Sequence, residues 1–203
     1  MLFRSQSCFF TRCLKWLRAF GSATLERRVL GVAARGGIGL QEHVSIPNDL
    51  APILVIDLPD EAATARLAAG LAALVRAHDI IALRGDLGAG KTSFARAFIR
   101  ALSDEAQEVP SPTFSLVQTY DTAQGEPLWH FDLYRLSESE EALELGIEDA
   151  FAEGITLIEW PERLGDLLPK ERLDLVLEAG PEPTSRKVSL YGWPSRLTDW
   201  HAP

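Results

Sequence analysis

Past residue 45 the chain has no cysteine; its only two, Cys8 and Cys13, lie near the start. The remainder therefore holds neither a disulfide framework nor a thiolate metal site, which fits a reducing compartment. No run of about 18 apolar residues occurs, so no segment reads as a membrane-spanning helix. Basic residues are scarce as well. Of the chain's 20 Lys/Arg and 29 Asp/Glu, residues 1–45 hold seven and two, leaving 13 basic against 27 acidic residues and a net charge of −14. A domain this acidic is a poor candidate for gripping nucleic acid by itself, because phosphate binding needs clustered Lys/Arg. If RNA enters its biology, a partner does the holding. There is no internal repeat and no low-complexity tract. A chain of 203 residues buries one good core, and one domain is expected.

The first 48 residues form a basic leader, Arg-rich, Ser-containing and acid-poor. That is the composition of an organellar transit peptide. It is equally the composition of a disordered extension or of an over-long start, and these readings stay open together. A signal peptide does not fit, since Arg12, Lys15 and Arg18 interrupt every apolar run. The expected organisation is a leader over 1–48, a domain over 49–195 and a tail over 196–203.

Within the domain, Ile53–Asp57 reads as a short strand. Pro59 and Asp60 open a helix expected to run to Ala77, with Leu67, Leu71, Leu74 and Val75 on one face. Ile80–Leu83 is a short apolar run of the kind found in buried parallel strands. A helix over Lys91–Leu102 follows. Val109–Pro112 breaks the helical pattern. Phe114–Tyr120 and Leu128–Leu133 read as strands joined by a turn around Asp121–Gly125. Ser137 is placed to cap a helix ending at Gly146. Ile155–Glu159 reads as another buried strand, and Pro161–Leu168 as a helix. Leu173–Glu178 and Lys187–Tyr191 read as a hairpin at the sheet's edge. Strands alternating with helices predict a single α/β domain, its mostly parallel central sheet flanked by helices and carrying an antiparallel hairpin.

Between the apolar strand and the helix lies Gly85-Asp-Leu-Gly-Ala-Gly-Lys-Thr92, a full match to G-x-x-x-x-G-K-[ST]. Glycines at these positions let backbone N–H groups turn inward around phosphate oxygens, and the helix N-terminus adds the positive end of its dipole. Lys91 is expected on the β- and γ-phosphates and the Thr92 hydroxyl on Mg²⁺. Asp132 and Glu159, each ending a strand expected beside the loop, are candidate partners of that metal. Trp160 reads either as a core anchor or as a rim contact. Ser111-Pro-Thr-Phe114 is a rigid turn offering Thr113, and by itself is most simply the entry to a strand. His130 reads as a satisfied histidine in an apolar strand. Arg135 faces phosphate or pairs with the acids around it. Arg96 and Arg100 read as solvated.

The segments GDLGAGKTSFARAF, VPSPTFSLVQTY, WHFDLYRL, LGIEDAF and LIEWPER occur in this order with short spacers. As a set they resemble the TsaE (YjeE) family of small bacterial ATPases, over about Ile53–Tyr191. Ser115 and Gln118 fall where that family varies, and the leader lies outside its pattern. The resemblance implies a P-loop domain that binds ATP or ADP with Mg²⁺. It further implies a role in threonylcarbamoyladenosine modification of tRNA beside the anticodon. The resemblance also implies that the work is shared with a TsaB–TsaD heterodimer, so that tRNA would be met only through partners. ATP hydrolysis would be weak alone and partner-dependent. Carried over by position, the nucleotide contacts are Gly85, Asp86, Leu87, Gly88, Ala89, Gly90, Lys91, Thr92, Ser93, Thr113 and Trp160. Glu159, Asp132 and Lys91 are the catalytic set, and Thr92, Glu159 and Asp132 the metal set. Which carboxylate touches the metal stays open. The implied location is cytoplasmic, or organellar if the leader is a transit peptide.

Three other readings compete, one of them a non-enzymatic nucleotide sensor that binds ATP but scarcely turns it over. A small-molecule kinase needs a lid whose arginines cover the transferred phosphoryl group; here Arg135, Arg163, Arg172 and Arg186 are scattered along the chain. A guanine switch needs an Asn-Lys-x-Asp segment, and the chain's one asparagine, Asn48, lies upstream of the loop.

Overall fold

Val55, Ile56 and the rest of Leu54–Leu58 form strand β1, and Asp60 then caps the first helix by accepting from the Ala63 N–H at 2.7 Å. The structure, a computed structural model, describes residues 51–104, 106–198 and 200. The basic leader lies outside the described residues. Helix α1 spans Glu61–Ala72, β2 Ile80–Arg84, α2 Lys91–Leu102, β3 Val117–Asp121 and β4 Pro127–Asp132. Two short helices follow, α3 over Glu141–Glu144 and α4 over Ile147–Glu153, then β5 over Ile155–Glu159. A 3₁₀ segment, Pro161–Leu167, leads to β6 (Leu173–Ala179), β7 (Arg186–Tyr191) and α5 (Pro194–Leu197).

The seven strands form one sheet in the order β1-β7-β6-β2-β5-β4-β3. Its centre, β6-β2-β5-β4, is parallel, and β1, β7 and β3 join through antiparallel ladders. The core lies on both faces. Leu67 and Leu71 of α1 and Phe94, Phe98 and Ile99 of α2 cluster with Ile81, Leu83 and Leu175. Phe131 and Ile158 instead cluster with Ile147, Ala150 and Leu164 from α4 and the 3₁₀ segment. Each such Leu, Ile or Phe side chain, fully buried, contributes about 1.5–3 kcal/mol. Burial on both faces explains why β2 and β5 are apolar runs without alternation.

Several boundaries differ from expectation. Helix α1 stops at Ala72 rather than Ala77: Leu74 and Val75 bond three residues back, and His78 takes a left-handed φ of 68°. Strand β3 begins at Val117 because Leu116 is left-handed, which leaves Phe114 in a turn and 85% exposed. Ser137 does not cap a long helix. Its N–H donates to Glu141 Oε1, α3 is a single turn, and Gly146 starts α4, which the sequence reading passed over. The β6–β7 hairpin is interior, not at an edge: Leu173–Val176 ladder with β2, and β1 covers β7. The expected domain boundary at 195 falls within α5, whose Leu197 is buried.

Candidate functional site

At the carboxyl end of β2 the chain turns sharply at Gly85, whose φ is +134°. A Cβ there would meet the Leu177 carbonyl oxygen of β6 at 2.2 Å, so only glycine fits. Gly88 and Gly90 also hold positive φ, 82° and 104°. Gly90 is the N-cap of α2; no side chain caps this helix and no acid sits in its first turn. Its first N–H groups, with the positive end of the helix dipole, are thus left for an anion.

The loop is rooted by a buried ion pair. Arg84, immediately before Gly85, donates through Nε to Asp174 Oδ1 at 2.7 Å and lies 3.5 Å from Glu162. This ties β2 to β6 and to the 3₁₀ segment.

Lys91 is buried and folded back into the loop. Its Nζ donates to the carbonyls of Gly85 at 2.5 Å and Asp86 at 2.9 Å and sits 3.7 Å from the centroid of the Trp160 ring. Burial lowers its pKa from the ordinary 10.5, and the nearby charges of Glu159, Glu162, Asp132 and Asp86 oppose that shift. Trp160 is held between Lys91 and Tyr134, whose ring centroid is 4.8 Å away, with a left-handed φ of 60° just before Pro161. Such a φ costs a non-glycine residue about 1–3 kcal/mol. Trp160 is both buried and in contact with the loop, so the two sequence readings of it are not exclusive.

Glu159 ends β5, the strand beside β2. Its Oε2 accepts from the Thr92 hydroxyl at 2.8 Å, and its Oε1 lies 3.0 Å from His130 Nε2. An ionised carboxylate only accepts, so opposite it His130 carries its hydrogen on Nε2; the buried Nδ1 has no partner among the described residues. His130 is thus more than a satisfied core histidine. Asp132 ends β4, which is not beside β2, contrary to expectation, but one strand beyond β5. Asp132 Oδ2 accepts from Thr113 Oγ1 at 2.9 Å and Oδ1 from the Tyr134 N–H at 3.2 Å. Thr113 is thereby more than a strand entry: the SPTF turn is fastened to β4 through its side chain. Ser111 Oγ, 2.7 Å from Thr113 Oγ1, extends this link.

These groups enclose a cleft of about 300 Å³. Of the residues expected from sequence, Leu87, Gly88, Gly90, Lys91, Thr92, Ser93, Thr113, Asp132, Glu159 and Trp160 line it. Gly85, Asp86 and Ala89 build the loop without lining the cleft. Two lining residues were not picked out, Tyr134 and Arg186. Tyr134 lies two residues from Asp132, a spacing that offered a clue; Arg186 is almost a hundred residues from the loop, and no local signal marks it. Arg135 does not turn to the acids: its guanidinium lies 4.5 Å from the Phe114 ring centroid. Arg96 and Arg100, read as solvated, donate to the carbonyls of Val109 and Gln107 and so clasp the approach to the SPTF turn.

Residues 58–188 match the family model "Threonylcarbamoyl adenosine biosynthesis protein TsaE". Similar proteins from several bacteria carry the name tRNA threonylcarbamoyladenosine biosynthesis protein TsaE. The one from Rickettsia felis is 44% identical over 121 residues, covering 60% of this chain and 70% of that protein. The one from Bacillus subtilis is 37% identical, covering 59% and 73%. The one from Aquifex aeolicus is 38% identical over 136 residues, covering 66% and 92%. The crystal structure of Bacillus subtilis YdiB superposes with a TM-score of 0.56 at 29% identity, covering 68% of this chain and 83% of that one.

Proposed function

The chain belongs to the TsaE family, the threonylcarbamoyladenosine biosynthesis proteins with a nucleotide-binding P-loop fold, and from that premise we propose that it binds ATP with Mg²⁺ in the cleft at Gly85–Thr92 and hydrolyses it to ADP and phosphate. The observation that carries this reading is the convergence of Lys91, Thr92 and Glu159 at one end of the glycine loop. Gly85–Gly90 and the uncapped start of α2 hold the phosphates through backbone N–H groups. Lys91 leaves the Gly85 and Asp86 carbonyls to neutralise the γ-phosphate. The donor set suits Mg²⁺, which takes hard oxygen ligands and keeps most of its waters, so that one or two carboxylates suffice. Thr92 and Glu159, already in contact, would hold it, and when bound it neutralises charge building on the β- and γ-oxygens. Asp132, fastened to Thr113, orients the attacking water, whose oxygen joins the γ-phosphorus as the bond to ADP breaks and whose proton leaves with the phosphate. Little base strength is required, because the transition state is loose.

In this reading the ATPase serves threonylcarbamoyladenosine modification of tRNA beside the anticodon. Its partner is a TsaB–TsaD-type heterodimer, and the net charge of −14 past residue 45 leaves contact with tRNA to that partner. Among the described residues no helix is long and apolar enough to cross a membrane. The domain is read as beginning at residue 49 and running through α5, and as working in the cytoplasm.

Phosphate release from ATP by the purified full chain, with and without a TsaB–TsaD pair, tests the proposal. Slow release alone and faster release with the pair are expected. Equal rates would make it a nucleotide sensor, and transfer of phosphate to a small-molecule acceptor would make it a kinase.

A further inference from the structure

The arginines of the domain's second half look scattered along the chain, yet folding delivers one of them to the cleft. Arg186 opens β7 and reaches across to the phosphate loop, where Nε donates to the Ala89 carbonyl at 3.0 Å. Its Nη1 donates to the carbonyls of Pro183 at 2.8 Å and Ser185 at 2.7 Å. All three acceptors are neutral. Arg84, Arg172 and Arg196 each contact a carboxylate, whereas Arg186 has none within ion-pair distance among the described residues. A guanidinium carries five N–H donors and stays charged at every physiological pH. Those on Nη2 have no acceptor among the described residues, and the side chain lines the cleft beside Gly90.

We propose that Arg186 is a second cation of the nucleotide polyphosphate site, set against the Gly90 side of the loop. This rests on the reading of the cleft given above. The sheet order places it: β6 and β7 lie to one side of β2, while β5 and β4, carrying Glu159 and Asp132, lie to the other. Lys91 meets Trp160 and the carboxylates on the β5 side; Arg186 comes from the β7 side. It therefore acts on the phosphates that ADP and ATP share rather than on the γ-phosphate. It also has an indirect effect. In a trans peptide the C=O and the next N–H point apart, so fastening Ala89 O to Arg186 fixes the direction of the Gly90 N–H. Arginine suits the role because its planar fork satisfies three carbonyls at once and still has donors left for phosphate.

The test is calorimetric titration of the full chain with Mg²⁺–ADP and Mg²⁺–ATP, for wild type, Arg186→Met and Arg186→Lys. Arg186→Met is expected to weaken both nucleotides by the same factor, about tenfold or more, as for the loss of one charge-assisted hydrogen bond. Arg186→Lys, which restores the charge but not the fork, is expected to recover most of that loss. Should Arg186→Met fail to fold, Arg186→Gln takes its place against Arg186→Lys. Unchanged affinities in Arg186→Met overturn the inference, and so does an Arg186→Lys protein as weak as Arg186→Met, which would leave the fork a purely structural clamp. Wild-type binding judges the cleft separately: a wild type that binds neither nucleotide overturns the nucleotide reading along with the inference. One that binds both, with Arg186→Met equally tight, overturns the inference alone.

Discussion

Asp132 and Glu159 are register partners across the β4–β5 ladder, yet their carboxylates serve different hydroxyls. Glu159 takes Thr92 of the phosphate loop, and Asp132 takes Thr113 of the SPTF turn. This division of labour separates two substitutions that look alike in sequence. Glu159→Ala is expected to lower turnover by about 10²-fold or more and to raise the Mg²⁺ concentration needed for half-maximal rate. Asp132→Asn is expected to slow turnover while leaving that Mg²⁺ requirement unchanged. Phosphate release titrated with Mg²⁺ checks both; wild-type turnover in Glu159→Ala would remove it from the mechanism.

His130 holds the other oxygen of Glu159, out of reach of solvent. His130→Phe fills similar space but leaves a buried carboxylate oxygen without its donor, at a cost of about 1–3 kcal/mol. Turnover should fall about 10–100-fold, as for other residues that orient a catalytic ligand. His130→Gln can return an N–H near the same point and should restore most of the rate at unchanged ATP affinity. A Gln variant as slow as the Phe variant would confine His130 to core packing.

The loop glycines separate close approach from backbone freedom. Gly85→Ala forces a Cβ onto the Leu177 carbonyl, in addition to an unfavourable φ, and should cost about 3 kcal/mol or more, roughly 6–12 °C in melting temperature. Gly88→Ala meets open space and should cost only the left-handed φ, about 1–2 kcal/mol. Thermal unfolding of both variants decides; equal losses would mean that the contact with β6 yields easily.

Burial lowers the pKa of Lys91, and a bound polyphosphate, being anionic, raises it again. Binding therefore favours the protonated lysine. ATP affinity should hold below the lowered pKa of the free protein and weaken as pH rises through it, with protons taken up on binding from there upward. For folding the sign is opposite. The unfolded chain binds the Lys91 proton more tightly, so this group destabilises the fold fully below its folded pKa, and that cost fades as pH rises to 10.5. Titrations in buffers of different ionisation enthalpy report the proton uptake; a pH-independent affinity would contradict the expectation.

Much of this was legible in the sequence for local reasons. Gly85–Thr92 states its own geometry, because glycines before a lysine and a threonine at a helix start leave few conformations. The apolar runs at Ile80 and Ile155 gave the buried parallel centre. What was not legible depended on contacts distant along the chain. The interior position of β6 is one such case: its Asp174 is buried through an ion pair with Arg84 of β2, far away along the chain. Helix α4 was missed because Gly146, a good stop signal, there serves as a start. Arg186 comes to the loop only through the β6–β7 pairing, which no spacing encodes.

The central claim is that the Gly85–Thr92 cradle holds the phosphates of ATP, and calorimetric titration of the full chain with Mg²⁺–ATP, wild type beside Lys91→Ala, tests it most directly. The expected result is saturable one-to-one binding by wild type, weakened at least about tenfold in a Lys91→Ala protein that remains folded. Equal affinity in the two proteins, or no binding by wild type, would contradict it.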